Sequence, residues 1–127
     1  MPTRRKSRAS ETSLSKAIQQ SLTLKGFKVI RVQTGVVPAV YDGKKRFIHC
    51  APNGTPDLLV ITPMLARARL QAAEFTWLEV KAVKGKLSKE QTEWHEWARL
   101  NGVRVAVVRS ISEAIKAVYG SESASVA

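Results

Sequence analysis

The amino-acid sequence predicts a mixed α/β domain. Segments with apolar residues at helical spacing alternate with short runs rich in Val and Ile, and Gly, Pro and Asn stand at the joints. This alternation is typical of a single α/β layer system. The length of 127 residues fits one domain, which we expect at residues 11–120. Residues 1–10 are predicted to form a flexible basic arm and residues 121–127 a flexible tail.

The first predicted helix begins at Ser13, a residue type that is favoured as an N-cap. It ends at Lys25-Gly26, because a lysine in the last turn followed by glycine is a typical stop signal. Its apolar stripe consists of Leu14, Ala17, Ile18 and Leu22. We expect a strand to follow at residues 27–32.

A β-hairpin is predicted around Asp42-Gly43. An Asp-Gly pair between two apolar runs is a strong hairpin signal, and here the runs are residues 36–41 and 47–48. The predicted tip carries three cations, Lys44, Lys45 and Arg46.

The second half of the chain is predicted to hold three strands and two helices. Residues 63–73 are ambiguous between helix and loop, since they are rich in Ala, Leu and Arg. The expected order is a strand at 57–62, a strand at 75–83, a helix at 88–100, a strand at 103–108 and a last helix capped by Ser112.

The charge balance indicates a polyanionic partner. Lys and Arg number 21 and Asp and Glu number 10, which gives a net charge of +11. Four of the cations lie in the first eight residues, so most of the excess belongs to the folded part. A small, strongly basic domain points first to nucleic acid, and the alternative is a basic protein without such a ligand.

The cysteine count and the hydropathy exclude several classes of protein. A single cysteine, Cys50, excludes an intramolecular disulfide framework and a multi-cysteine zinc site. It fits a reducing compartment. No apolar run approaches the ~20 residues of a membrane span, and no hydrophobic segment follows the basic N-terminus as in a secretory signal. We therefore expect a cytoplasmic protein.

Three charged residues on two predicted strands form the main candidate site. Strand side chains alternate between faces, so Glu79 and Lys81 share one face while their apolar neighbours take the other. The charged pair is then expected at a surface or cleft. Asp57 opens the preceding strand, and it can approach Glu79 if the two strands pair.

This constellation contains the groups that phosphodiester hydrolysis needs. Two converging carboxylates, Asp57 and Glu79, suit a hard divalent cation such as Mg²⁺, and the backbone carbonyl of Val80 is a natural third ligand. Lys81 can orient or deprotonate the attacking water, or hold a phosphate as a point charge. The structural alternative is a solvated charged face with Asp57 as an ordinary turn residue.

The predicted helix after this site starts with a capping box, in which Ser88 caps the helix and Gln91 reaches back to the Ser88 amide. Gln91 therefore has a structural interpretation beside any functional one. Farther along, Trp94, Trp97 and Ala98 form a stripe at helical spacing that we expect in the core or at an interface. His95 lies off this stripe and is predicted to be on the surface.

The ordered series of motifs resembles the PD-(D/E)XK nuclease superfamily, and within it the VRR-NUC family of virus-type replication-repair nucleases. The motifs are Gly54-Thr55-Pro56-Asp57, Glu79-Val80-Lys81, the segment from Gly85 to Gln91, and the closing run that ends at Ser110. The resemblance spans residues 13–118. It implies a restriction-endonuclease-like core, ordered α-β-β-β-α-β-α, with a central mixed sheet flanked by helices.

The resemblance also implies a DNA endonuclease that depends on Mg²⁺ or Mn²⁺. In the family, the positions that match Asp57, Glu79 and the Val80 carbonyl hold the metal. The position that matches Lys81 is catalytic, and the one that matches Gln91 supports the active site.

Two further expectations follow from the resemblance. Family members tend to carry an acid on the first helix, just before its first apolar residue. Here that position is Ser13 and Glu11 lies two residues earlier, which makes Glu11 the candidate for an additional metal ligand. The short chain resembles the stand-alone phage members of the family, which implies a homodimer that acts like a Holliday-junction resolvase.

The leading hypothesis is a metal-dependent endonuclease acting on branched DNA. A nuclease of the same chemistry directed to flaps, nicks or plain duplex is the second, and a non-catalytic basic DNA-binding module is the third. The two acids argue against the third, because a pure binder gains little from carboxylates that face a phosphate. Cations expected to contact the DNA backbone, rather than only solvent, are Lys44, Lys45, Arg46, Lys84, Lys86 and Lys89.

Overall fold

The computed structural model describes the backbone of residues 2–63 and 73–126 and the side chains of residues 11–63 and 73–119. Most of the ambiguous predicted segment, residues 64–72, lies outside the described residues. The elements are α1 (Pro2–Leu24), β1 (Lys28–Arg31), β2 (Val36–Tyr41), β3 (Lys44–His49), β4 (Leu58–Ile61), β5 (Phe75–Val80), α2 (Lys89–Leu100), β6 (Val105–Val108) and α3 (Ile111–Val126).

Four of the strands form one mixed sheet in the order β1-β4-β5-β6. The β1–β4 and β4–β5 pairs are antiparallel, and the β5–β6 pair is parallel. Strands β2 and β3 pair only with each other and are inserted between β1 and β4. Without this hairpin the order is α-β-β-β-α-β-α, so the predicted fold class is confirmed.

One face of the sheet builds the hydrophobic core with α1 and α3. Alternate residues of β4 and β5 point to this face, as the period of two requires. The opposite face carries Trp77 and is covered by α2, where the Trp77 and Trp94 rings meet edge to face at 5.3 Å. The buried core consists of Ile18, Leu22, Phe27, Leu58, Val60, Leu78, Val80, Val108, Ala114 and Val118.

Two predicted helix starts are wrong. Helix α1 begins at Pro2, so Ser13 lies inside it. The start at Pro2 was missed because the polar residues before Ser13 contain no periodic apolar residues that would indicate a helix. Helix α3 begins at Ile111, and its cap is Ser110, whose Oγ accepts a hydrogen bond from the Glu113 amide at 3.1 Å. The mobility predicted for the two chain ends stays a prediction.

The chain leaves β5 at Val80, earlier than the predicted end at Val83. A turn follows, in which the Gly85 amide donates to the Ala82 carbonyl at 2.9 Å. Arg109, which directly follows β6, stabilises this turn. Its guanidinium donates to the carbonyls of Ala82 at 2.6 Å and Gly85 at 2.7 Å. We call residues 82–87, which lead into α2, the β5–α2 loop.

The predicted hairpin is confirmed. Asp42 and Gly43 both have positive φ, 51° and 72°, which is the backbone of a type I′ turn. Tyr41 pairs with Lys44 directly beside the turn. The hairpin keeps large apolar side chains exposed, among them Val40 and Phe47. Within the described part of the chain, no helix is both long and apolar enough to cross a bilayer.

Candidate active site

Asp57 and Glu79 meet where β4 and β5 run side by side. Leu58 pairs with Leu78 in this antiparallel register, so the next step along the ladder places Asp57 opposite Glu79. The Asp57 Oδ2 atom also accepts a hydrogen bond from the Val80 amide at 2.8 Å. The predicted approach of the two acids across paired strands is therefore confirmed.

Glu79 is buried, with 1% of its surface exposed. The structural alternative of a solvated charged face is wrong for Glu79, because side chains of α2 cover it. Burial, and after it the charge and the hydrogen bond of the neighbouring Asp57, raise the pKa of Glu79 to about 8. Lys81 partly offsets this rise, and Glu11 adds to it. The Glu79 carboxyl group therefore lies in an environment in which its ionised form is unfavourable unless a cation is nearby.

Gln91 has two roles in the geometry. Its backbone amide donates to Ser88 Oγ at 3.1 Å and its side-chain Oε1 accepts from the Ser88 amide at 2.9 Å, so the capping box is confirmed. The other end of the same amide donates from Nε2 to Glu79 Oε2 at 3.2 Å. Gln91 therefore stabilises the first turn of α2 and, at the same time, contacts the candidate site.

His95 is a site residue that the sequence analysis placed wrongly on the surface. Only 15% of its side chain is exposed, and its Nε2 atom lies 3.4 Å from Glu79 Oε1. Burial lowers the pKa of His95, and the nearby charge of Lys81 lowers it as well. The available signal was the spacing from Gln91, since residues four apart share one face of a helix.

Lys81 and Glu11 both lie beside the acid pair. The Lys81 amide donates to the Val108 carbonyl at 3.0 Å, which continues the β5–β6 pairing past the end of β5. Glu11 stands on α1, and its Oε2 atom accepts from the Ala82 amide at 3.4 Å. The structure thus brings the acid of the first helix to the same site.

A cleft of about 660 Å³ opens next to these groups. One wall is a polar face of α1 that starts at Glu11, and the facing wall is formed by residues 31–34, which end β1 and follow it. Asp57 and Val80 line its inner end. The Val32 amide donates to the Asp57 carbonyl at 2.7 Å, which fixes the second wall to the site.

Gly54 allows a close approach between the turn before Asp57 and the start of α2. It has a φ of +95°, and a Cβ at this position would lie 2.4 Å from the carbonyl oxygen of Glu90. Only glycine fits such a contact without displacing backbone. The glycine of the first motif therefore determines how near Gln91 comes to Glu79.

The predicted DNA-contacting cations are all exposed. Lys84 and Lys86 lie on the β5–α2 loop, and Lys89 begins α2, where it forms a weak exposed ion pair with Glu93 at 4.0 Å. The remaining three cations, Lys44, Lys45 and Arg46, lie on β3 next to the hairpin turn.

The donor set suits a hard divalent cation. Among the described residues, no three His, Cys, Asp or Glu side chains are grouped to hold a metal ion. Mg²⁺ is usually bound by one or two protein carboxylates together with waters. Asp57, Glu79 and the Val80 carbonyl are oxygen donors of this kind. The pKa of Glu79 is raised by burial first and by the charge of Asp57 second, and a bound cation would offset both effects.

The chain is similar to known proteins both in sequence and in structure. The family profile of the VRR-NUC domain matches residues 45–111. A solved structure described as a VRR-NUC domain is similar to the chain, with a TM-score of 0.54 and 25% sequence identity. That similarity covers 84% of this chain and 91% of the other. A search of curated proteins found no match.

The matched profile includes the turn at Gly54, both acids, Lys81 and Gln91. It also covers more than half of the chain, and the similarity to the solved structure extends beyond the residues that the profile matches. The chain therefore belongs to the VRR-NUC family, and its domain is of the nuclease type that acts on DNA.

Proposed function

We propose that this protein is a Mg²⁺- or Mn²⁺-dependent endonuclease that hydrolyses phosphodiester bonds in branched DNA, including four-way junctions. The observation that carries the proposal is the contact between Asp57 and the buried Glu79, whose pKa is raised to about 8. Two carboxylates that share one site favour a divalent cation, since the cation removes their mutual repulsion. Lys81 adds a fixed positive charge beside them.

Each residue of the site has a role that follows from its contacts. Asp57, Glu79 and the Val80 carbonyl would hold the ion, which supplies activation of water and neutralisation of phosphate charge when bound. Lys81 stabilises negative charge that develops on the phosphate. Gln91 orients the Glu79 carboxylate from α2, at 3.2 Å.

The surface charge supports a DNA substrate that reaches beyond the site. The chain carries a net charge of +11, and exposed cations on the β5–α2 loop lie a few residues after Lys81. These cations would bind backbone phosphates of the DNA near the site without reading sequence. Those on the hairpin would reach a more distant part of the duplex or a second arm of a branched molecule.

We propose further that the active form is a homodimer with two-fold symmetry. A four-way junction needs two symmetric cuts, and a C₂ dimer is the commonest way to supply two equal sites. Exposed apolar side chains support an interface on α2, where Trp97 is 57% and Leu100 is 70% exposed. Sedimentation should show a dimer at micromolar concentration. A monomer, both free and on DNA, would favour a nuclease directed to flaps or nicks.

The test of the activity is cleavage of a labelled panel of four-way, fork, flap, nicked and linear DNA, with Mg²⁺, Mn²⁺ or EDTA. We expect metal-dependent cutting with a preference for branched molecules. Asp57→Asn and Glu79→Gln should each reduce the rate by about a thousandfold or more, since each removes several kcal/mol of transition-state stabilisation.

The matched control for these two variants is Glu96→Gln. Among the side chains that the structure describes, this exposed acid on α2 pairs with Arg99 alone, at 2.6 Å. Its loss should leave the rate within about twofold. Cutting in EDTA, or a wild-type rate in either site variant, would contradict the metal mechanism. Binding to DNA without cutting under any condition would favour the non-catalytic module.

A further inference from the structure

The cleft beside Asp57 contains two cations that the proposed chemistry does not use. Lys16 lies on the α1 wall, five residues after Glu11, and Arg31 lies on the opposite wall. Arg31 pairs with Leu58 in the β1–β4 register, so it is adjacent to Asp57 in the sheet. The two cations therefore stand on both sides of a cleft whose inner end is the candidate active site.

Both cations are exposed and free to bind an anion. Within the part of the chain whose side chains are described, neither forms an ion pair. The rest of the lining is mostly neutral and polar, including Ser15, Gln19 and Gln33. Its two acids, Glu11 and Asp57, belong to the candidate active site. Side chains of this kind suit a phosphate backbone with its sugars and bases better than an apolar ligand.

The volume limits what part of a DNA substrate can enter. About 660 Å³ is the size of an ordinary small-ligand site. A double helix is far larger, since its major groove alone is about 12 Å wide. A cleft of this size has room for about one or two nucleotides of a single strand. Such a strand would lie between the two cations with one phosphodiester at the inner end.

We infer that this cleft is a binding site for a single DNA strand, in which Lys16 and Arg31 bind the phosphates that flank the cleaved bond. The inference rests on the proposed nuclease function and specifies its substrate: the strand must be unpaired next to the cut. Branch points, flaps and frayed ends supply such a strand, whereas an intact duplex must first open. The cleft walls thus select DNA by its pairing state.

The experiment measures binding of a short fluorescent oligothymidylate and of a closed-hairpin duplex in EDTA, over a range of salt concentrations. The double variant Lys16→Ala/Arg31→Ala is compared with Lys25→Ala/Lys116→Ala. The control removes the same charge from exposed positions at the end of α1 and on α3 that do not line the cleft. Circular dichroism checks that both variants keep the wild-type fold.

We expect the cleft variant to weaken single-strand binding at least tenfold relative to the control. The log–log salt slope for the single strand should fall by about 1.4, because each single-strand phosphate contact contributes about 0.7. Duplex binding should change no more than in the control. Equal effects in the two double variants, or an equal loss on duplex, would overturn the assignment.

A parallel cleavage assay with Mg²⁺ separates this inference from the proposed function. A wild type that binds single strands through the two cations but cuts no DNA would contradict the nuclease proposal and support the cleft. A wild type that cuts, with a cleft variant that behaves as the control does, would support the nuclease and overturn the cleft. If both the nuclease function and the cleft assignment are right, the cleft variant raises KM for flapped DNA with little change in kcat.

Discussion

Gln91 joins the start of helix α2 to the buried carboxylate of Glu79. Its side-chain amide uses both ends, with Oε1 accepting from the Ser88 amide at 2.9 Å and Nε2 donating to Glu79 Oε2 at 3.2 Å. A single planar group therefore sets the distance between a helix terminus and a candidate metal ligand. The two interpretations of this residue, as a cap and as a support of the site, describe the same hydrogen-bonded unit.

The two roles of Gln91 can be separated by comparison with Ser88. Ser88→Ala and Gln91→Ala each break the capping box and should each cost about 1 kcal/mol of stability. Only Gln91→Ala also frees Glu79, and loss of such an outer-sphere partner costs about 10–100-fold in activity or metal affinity. We therefore expect similar melting temperatures but a much lower cleavage rate for Gln91→Ala. Equal rates in the two variants would show that the Glu79 contact has no catalytic value.

His95 should act as a second positioning residue for Glu79. His95→Gln keeps a side-chain donor, whereas His95→Ala leaves one oxygen of a buried carboxylate without its neighbour at 3.4 Å. We expect about a tenfold loss of kcat for His95→Ala, with KM for DNA nearly unchanged, and partial rescue by His95→Gln. The measurement is steady-state cleavage at saturating Mg²⁺. Equal losses in both variants would indicate that the ring only packs.

The metal-free protein should lose stability as the pH rises. The pKa of Glu79 is raised to about 8 in the folded state from an ordinary 4.5, so the folded chain keeps a proton that the unfolded chain releases. Between these values the free energy of unfolding falls with pH. The lowered pKa of His95 gives the opposite slope below its ordinary 6.5, so the clearest window lies between about pH 7 and pH 8.

Glu79→Gln supplies the comparison for this pH effect. Melting temperatures in EDTA should fall by several degrees across the window in the wild type and stay nearly constant in the variant. Added Mg²⁺ should restore the wild type most at the higher pH, because binding releases the proton. A wild-type melting temperature that rises across the window would contradict the assignment of Glu79.

Gly54→Ala should damage both stability and cleavage. A methyl group there would meet the Glu90 backbone at 2.4 Å, so α2 must move away together with Gln91. The control is Gly102→Ala, at the other end of the same helix, where φ is also positive but no atom lies within 4 Å. Both variants carry the backbone cost of about 1 kcal/mol. In addition, the cleavage rate should fall about tenfold or more in Gly54→Ala but not in Gly102→Ala.

Local patterns were enough to predict the features that depend on neighbouring residues. Asp42-Gly43 specifies its hairpin because both residues accept a positive φ. The approach of Asp57 to Glu79 was predicted from strand alternation on the condition that the two strands pair, and the antiparallel register of β4 and β5 meets this condition. In both cases the deciding interaction lies within a strand pair, where the period of two leaves little freedom.

The features that were missed depend on which surface another element covers. Alternation assigns Glu79 a face of its strand but not the helix that buries this face. His95 was predicted to be on the surface because it lies off the tryptophan stripe. The face of α2 that contacts the sheet is wider than this stripe and includes Gln91 and His95. The early start of α1 has no apolar signal, since a helix made of polar residues shows no periodic stripe.

The hydrogen bonds from Arg109 to the β5–α2 loop affect the conformational entropy that the loop would lose on binding DNA. A free loop that carries Lys84 and Lys86 would lose many conformations on contact with a phosphate backbone, and that loss would weaken the complex. Here a guanidinium already ties two of the loop carbonyls together, at 2.6 and 2.7 Å. In the proposed DNA complex the backbone that presents both lysines is therefore already ordered, so less of their attraction for phosphate is offset by the loss of loop conformations.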